Sequence, residues 1–171
     1  RLRPFMLRNM MTLDSPAPGF APAPPAFTPR DPDWEARARA LFEVQNMMRL
    51  LGYRLETLRP GAADLSAPIG EATRQQLGAA HAAMAFAGGD TAAGIAAATM
   101  LAPGDSVVTL EMKTNFLAPV NGARVMARGR VERAGRSVVV VRAEVDSIDA
   151  DGVATRAAIM LGTMAVIRPR A

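Results

Sequence analysis

The segment from Gly78 to Leu101 constrains the fold more than any other part of the chain. Ala, Gly and a few other small or apolar residues make up nearly all of it, with a single carboxylate, Asp90, and the chain's only histidine, His81. A helix that is apolar on every side must be buried, and its small residues let neighbouring backbones approach closely. An aspartate at a bilayer centre costs about 2.5–3.5 kcal/mol. The segment therefore predicts a helix buried within a protein rather than a membrane span.

Strand-like patterns on both sides of this segment predict a sheet that surrounds the helix. Two short runs precede it, joined by the turn pair Pro60-Gly61, and four longer runs follow it. Three of the later connections contain hairpin-prone pairs, Asn121-Gly122, Ala134-Gly135 and Asp151-Gly152. The predicted strands are residues 53–59, 62–69, 106–117, 123–132, 137–146 and 153–167. In the run 106–117, alternation predicts one apolar face and one polar face, made respectively of Val108, Leu110, Met112 and Phe116, and of Thr109, Glu111, Lys113 and Asn115.

The N-terminal part of the chain divides into an arm and a helix. Seven of the thirteen prolines lie within residues 16–32, so residues 1–32 are predicted to form an extended or disordered arm. From Asp33, which can cap a helix, to Gly52, which can end one, apolar residues recur at three- and four-residue steps. The remaining 33–171 is predicted to be one α+β domain: an antiparallel sheet of about six strands wrapped around one long central helix, with an extra N-terminal helix.

Composition excludes several chemistries. Without cysteine there is no disulfide, thiolate metal site or cysteine nucleophile, and one histidine excludes a zinc site built on several imidazoles. A Ser-His-Asp triad would have to use His81, and no G-x-S-x-G elbow is present. The net charge of +4 comes almost wholly from arginine, yet no nucleic-acid-binding motif accompanies it. We therefore expect no metal, no organic cofactor, no nucleic-acid partner and, since no targeting sequence or membrane span is predicted, a cytoplasmic location.

Asp90 and His81 each admit a structural and a chemical interpretation. Asp90 could cap a helix that begins at Thr91 after the break Gly88-Gly89, or it could be a buried carboxylate used in chemistry. His81 could be a hydrogen-bonded residue at a helix start or a site residue. Nine helical residues turn about 900°, so the two would lie on opposite sides of one helix and could not form a dyad within it.

Taken together, the motifs from about residue 42 to 167 resemble hotdog-fold acyl-CoA thioesterases of the phenylacetic-acid-degradation (PaaI-like) type. That family has a His-Gly-Gly motif with an Asp nine residues after the His, then a strand of the form T-x5-N-F/Y-L-x-P and a basic-x-Gly-basic hairpin. The corresponding residues here are His81-Ala82-Ala83, Asp90, Thr109 to Pro119 and Arg133-Ala134-Gly135-Arg136. The glycines after the histidine are alanines in this chain.

The resemblance implies a role for each matching residue. Asp90 would be the general base or nucleophile, and the Ala82 N–H of a second subunit would polarise the thioester carbonyl. His81 would shape the helix entrance, Gln75 would hold a polar position, and Thr109 would orient water or substrate. Coenzyme A, present only as part of the substrate, would contact Ala83, Asn115, Phe116, Leu117, Pro119, Arg133, Gly135, Arg136 and Ser137. The implied assembly is a homodimer, with a homotetramer expected.

Other functions remain open at this stage. A non-catalytic acyl-CoA-binding protein, such as a sensor or scaffold, is compatible with the alanines that replace the Gly-Gly pair. A dehydratase is disfavoured because no second carboxylate stands at the position that such an enzyme needs. A nucleic-acid-binding module would have to bind polyanions at physiological salt. The acyl group of a thioester substrate is not specified by the sequence.

Overall fold

The computed structural model describes residues 27–169 of the chain. The predicted arm, residues 1–32, therefore lies outside the described residues except for its last six. Among these six, Phe27 packs against the core. Asp31 is buried and forms an ion pair with Arg37, with 3.3 Å between Asp31 Oδ2 and Arg37 Nη1. A short 3-10 helix, Glu71–Thr73, precedes the longest helix. The other elements, in chain order, are α1 (Trp34–Glu43), α2 (Asn46–Leu50), β1 (Arg54–Arg59), β2 (Ala62–Pro68), α3 (Ala82–Ala98), β3 (Ser106–Phe116), β4 (Arg124–Ala134), β5 (Val138–Ile148) and β6 (Ala154–Ile167).

The sheet and helix confirm the predicted α+β architecture. Six antiparallel strands in the order β1-β2-β4-β5-β6-β3 form one sheet, and α3 packs on one face of it. The prediction of a hairpin at Asn121-Gly122 is wrong, because β3 and β4 are not neighbours: β5 and β6 lie between them in the sheet. Residues 117–123 instead cross from the β3 edge to β4, and on the way the Val120 carbonyl accepts a hydrogen bond from Ala80 N–H at 2.9 Å. The crossing thereby holds the segment that leads into α3.

The predicted N-terminal helix is interrupted. It is two helices, α1 and α2, separated by an extended backbone at Gln45. Phe42 and Met48 are both buried, yet six helical residues turn about 600°, which would put them on different sides of a straight helix. The break lets both side chains reach the core. Asp33 does occupy the N-cap position, but its side chain makes no capping hydrogen bond.

Small residues bring α3 directly against the sheet. Ala92 and Ala93 are fully buried, and Gly129 of β4 lies so close to them that an added Cβ would stand 2.1 Å from the Ala92 carbonyl carbon. Gly88 makes a similar contact with the Tyr53 ring, whose hydroxyl donates to the Met84 carbonyl at 2.8 Å. These contacts fix the position of α3 along the sheet. None of the helices within residues 27–169 has the length and apolar character needed to span a membrane.

Replacing Gly129 by Ala is expected to lower the free energy of unfolding by about 1–3 kcal/mol, since the new methyl group would meet helix backbone that cannot rotate away. Urea titration followed by circular dichroism measures this change. Gly70→Ala is the matched control, because nothing lies within 4 Å of a Cβ at that position; it should stay within about 0.5 kcal/mol of the unsubstituted protein. Equal stability of the two variants would contradict the close contact between β4 and α3.

Candidate active site

Helix α3 begins beside the histidine and runs through the aspartate. His81 is the N-cap residue, and its Nδ1 accepts a hydrogen bond from Ala83 N–H at 3.0 Å. The helix continues without a break through Gly88-Gly89, so the interpretation of Asp90 as an N-cap is wrong. The two glycines serve close packing here, against Tyr53 and Met160 respectively.

The Asp90 carboxylate is half-buried and is held by one side chain from the sheet. Thr109 Oγ1 of β3 donates to Asp90 Oδ1 at 2.8 Å. Thr109 points toward α3 because a bulge at Leu110 interrupts the alternation of β3. Thr109 pairs with Met164 and Met112 pairs with Gly162, and both of these β6 residues are buried. Thr109 and Met112 therefore lie on the same face of the sheet, whereas strict alternation predicts opposite faces.

That bulge corrects the predicted faces of β3. By their pairing with β6, Met112 and Phe116 lie on the helix side of the sheet, and Val108 lies on the other side. Asn115, a predicted substrate contact, pairs with the exposed Ile159 on the outer face, where its Oδ1 accepts from Lys113 Nζ at 2.8 Å. Within one chain, Asn115 is therefore on the other side of the sheet from α3.

The start of α3 opens onto a cavity of about 520 Å³. Ala82, the first helical residue, is exposed, and no described residue accepts a hydrogen bond from its N–H. This N–H is one of the first-turn donors that a helix cannot satisfy itself, and it lies at the positive end of the helix dipole. The cavity brings together several of the predicted site residues, namely Gln75, His81, Ala82, Phe116, Leu117 and Pro119, with Gln76, Leu77, Ala79, Ala80, Ala118 and Val120.

An exposed stripe of α3 contains both the Asp90 carboxylate and the Ala82 N–H. The sheet covers most of the helix, but Ala82, Phe86 and Asp90, at successive four-residue steps, remain at least partly accessible, with Phe86 39% exposed. Eight residues of helix separate Ala82 from Asp90 by about 12 Å along the axis. The carboxylate and the free amide thus share one face of the molecule, but they cannot touch the same atom from within one chain.

The basic hairpin lies at the opposite end of the sheet from the start of α3. The turn 135–137 joins the end of β4 to the start of β5, and the end of β6 lies beside it. Val166 N–H donates a hydrogen bond to the Ser137 carbonyl at 2.9 Å, and the Arg168 guanidinium donates one to the Arg136 carbonyl at 2.7 Å. Arg133 and Arg136 are exposed there. Eleven residues of β4 separate this turn from the 520 Å³ cavity by about 35 Å.

Two residues that support this region were not singled out from the sequence. Phe86 could have been found from its position halfway between Ala82 and Asp90. Tyr53 had no local signal, since its contact with α3 depends on tertiary packing; burial there raises the pKa of its hydroxyl above the ordinary value. Within residues 27–169, no three His, Cys, Asp or Glu side chains come together in a group able to hold a metal ion.

Comparison with known proteins gives this arrangement a family. The model of the thioesterase superfamily matches residues 77–154. A thioesterase family protein of Silicibacter pomeroyi is 33% identical, with a TM-score of 0.77 over 80% of this chain and 99% of the other. A protein of Saccharolobus solfataricus, assigned by name to the esterases, is 31% identical over 110 residues, which cover 64% of this chain and 76% of that protein. The chain belongs to the thioesterase superfamily.

The fold is shared more widely than the sequence. The PaaI protein of the Escherichia coli phenylacetic acid degradation operon is 19% identical, with a TM-score of 0.70 over 79% of this chain and 94% of its own. At that identity the likeness concerns the fold alone. It confirms the hotdog fold that the motifs predicted.

Proposed function

We propose that this protein hydrolyses an acyl-CoA thioester to a carboxylic acid and coenzyme A, without a metal or organic cofactor. The observation that most supports this is the exposed stripe of α3, which offers a carboxylate, Asp90, and an amide donor, Ala82 N–H, from which no residue within 27–169 accepts. Thioester hydrolysis needs both kinds of group: one that activates water or itself attacks the carbonyl carbon, and one that stabilises the oxyanion.

The chemistry assigned to these groups balances without further reagents. In the general-base route, Asp90 takes a proton from water as the water oxygen bonds to the thioester carbonyl carbon. The carbonyl oxygen becomes an oxyanion that accepts from Ala82 N–H, where one donor contributes about 2.7–4 kcal/mol. The carbon–sulfur bond then breaks, and the proton passes to the leaving thiolate. The hydrogen bond from Thr109 holds one carboxylate oxygen, Asp90 Oδ1, and leaves the other available for this step.

A second copy of the chain supplies the missing half of each site. The carboxylate and the amide are about 12 Å apart on one helix, but two α3 helices packed antiparallel about a twofold axis would place Asp90 of each copy near Ala82 of the other. The midpoint between positions 82 and 90 is Phe86. This exposed ring would therefore lie at the axis and meet its own counterpart.

Replacing Phe86 by Cys tests this arrangement in a chain that has no other cysteine. Under mild oxidation we expect a disulfide-linked dimer, because helices packed at about 8–10 Å bring residues on a shared axis within reach of a disulfide. Non-reducing gel electrophoresis measures the linked fraction. Leu50→Cys, at a site that is 81% exposed on α2, is the control and should stay largely monomeric on the gel. If the Phe86→Cys and Leu50→Cys variants give the same fraction of disulfide-linked dimer, the proposed pairing of α3 helices is wrong.

The basic hairpin gives the phosphates of coenzyme A a binding partner in this proposal. Arg133 and Arg136 are exposed beside the turn 135–137, and guanidinium groups suit bidentate contact with phosphate. Since this hairpin and the 520 Å³ cavity lie at opposite ends of one sheet, the hairpin of a neighbouring copy would serve each site.

Charge reversal at Arg136 is expected to raise the Michaelis constant for an acyl-CoA about tenfold and leave kcat nearly unchanged, because it removes a charged hydrogen bond far from the thioester. Steady-state kinetics measures both constants. Arg54→Glu makes the same change of charge on the edge strand β1 and should leave the Michaelis constant unaltered. An unchanged constant in the Arg136 variant would remove the hairpin from the binding site.

The direct test of the proposed function is release of free thiol from acyl-CoAs, followed with a thiol reagent across short, long and aryl acyl groups. Turnover of at least one of them supports hydrolysis. Saturable binding of acyl-CoA with no thiol release would instead identify a non-catalytic acyl-CoA-binding protein, the function that the alanines after His81 left open. Absence of both binding and turnover would contradict either function.

A further inference from the structure

A second cavity lies immediately beside the start of α3, between that helix and α2. It measures about 220 Å³, and His81 lines both it and the 520 Å³ cavity. Ala82 borders the larger space and Ala83 the smaller one. Ala82 therefore lies between two residues, His81 and Ala83, that line the smaller space, while it lines the larger one itself. A thioester whose carbonyl oxygen accepts from Ala82 N–H would have one of its two arms beside each space.

We propose that the 220 Å³ cavity holds the acyl chain of the substrate and that this chain is an alkyl group of medium length. The inference rests on the proposed function and adds the substrate class to it. Complete binding sites for drug-sized ligands are usually about 300–1,000 Å³, so this cavity suits only one part of a ligand. The larger cavity, whose mainly apolar wall also carries Gln75 and Gln76, is left for the pantetheine arm.

The walls of the smaller cavity are adapted to alkyl groups. Met84, which is 2% exposed, belongs to the buried core, and Met47, which is 58% exposed, stands at the surface. Methionine is flexible and polarisable and accommodates apolar chains of varied shape. Leu51 and Ala72 complete the apolar part of the wall, and the lining includes no Phe, Tyr or Trp ring that would favour an aryl group by stacking.

Two polar side chains on this wall hydrogen-bond backbone carbonyls. The Thr73 hydroxyl donates to the Gly70 carbonyl at 2.9 Å, and the Arg74 guanidinium donates to the Gly78 carbonyl. An alkyl chain that fills the cavity leaves both hydrogen bonds in place.

Opposite substitutions at Met47 test the proposal through chain-length preference. Met47→Trp should reduce the cavity and lower the ratio of kcat/KM for octanoyl-CoA to that for acetyl-CoA by about tenfold or more, since each buried methylene is worth about fourfold. Met47→Ala should enlarge it and move the preferred acyl chain to a longer one. Leu50→Trp is the matched control on the same helix, 81% exposed and outside the cavity, and should leave the ratio unchanged.

Binding of thioether analogues separates this inference from the proposed function. S-octyl-CoA cannot be hydrolysed, and calorimetry should show it bound more tightly than S-ethyl-CoA, with the difference lost in Met47→Trp and kept in Leu50→Trp. The same result without any turnover by the unsubstituted protein would refute hydrolysis and leave the acyl cavity supported. Turnover or binding whose chain-length preference is unaffected at Met47 would refute the cavity. No chain-length preference in either assay would refute it as well.

Discussion

Replacing Asp90 by Asn is expected to lower kcat for the best acyl-CoA substrate by about 10²–10⁴-fold, and Asp90→Ala should abolish turnover. An amide cannot take a proton from water, and it is a poor nucleophile toward a thioester. The asparagine Oδ1 can still accept the hydrogen bond from Thr109, so the contact between α3 and β3 is preserved. Thiol-release kinetics at saturating substrate measures the loss.

The loss of activity in the Asp90 variants is informative only if the variants fold normally and if removing a negative charge elsewhere has no effect. Asp151→Asn makes the same change of charge at an exposed turn between β5 and β6 and should keep full activity. Thermal unfolding of the Asp90 variants should stay close to that of the unsubstituted protein. Activity retained in Asp90→Asn, with the control also active, would mean that another group activates water and that Asp90 has a structural role only.

Replacing Ala82 by Pro is expected to lower kcat by about 10²–10³-fold, because it deletes the one amide donor assigned to the oxyanion. At this position the substitution removes the N–H without disturbing the backbone of the helix. Proline is favoured at the first residue of a helix, and His81, with φ of −61° and ψ of 139°, already has the conformation that a residue before proline prefers. The helix should therefore form as before, which circular dichroism checks.

Ala82→Gly serves as the comparison for the amide. It keeps the N–H and should retain most of the turnover, so that the two variants differ in the donor rather than in the side chain. Equal activity of the proline and glycine variants would show that the oxyanion is stabilised elsewhere. A loss confined to the Michaelis constant would place Ala82 in substrate binding and not in the chemical step.

The architecture could be predicted because the strongest patterns are local. Small apolar residues over 78–101 specify a buried helix, and the turn pair Pro60-Gly61 specifies a hairpin, without reference to the rest of the chain. The crossing at Asn121-Gly122 could not be predicted in the same way. A turn pair indicates that the chain reverses, but it does not indicate which strand lies next to which, and here β3 pairs with β6, the strand most distant from it in the later sequence.

The site was only partly accessible to sequence reasoning. The spacing of His81 and Asp90 singled out α3, but the pair Gly88-Gly89 suggested a break in that helix. In the structure both glycines lie within α3, where they allow close packing against Tyr53 and Met160. One bulge at Leu110 then changed which β3 side chains face α3. Alanine in place of the family's glycines is compatible with the start of α3, since positions 82 and 83 both have ordinary helical backbone.

Activity regained by pairing two inactive variants, Asp90→Asn and Ala82→Pro, tests the two-chain site most directly. In a mixed dimer, the Asp90 carboxylate of one chain meets the Ala82 amide of the other, so one of its two sites is intact. After co-expression or refolding together, random pairing should restore about one quarter of the unsubstituted activity. No gain over the separate variants would mean that each site is built within a single chain, which contradicts the account.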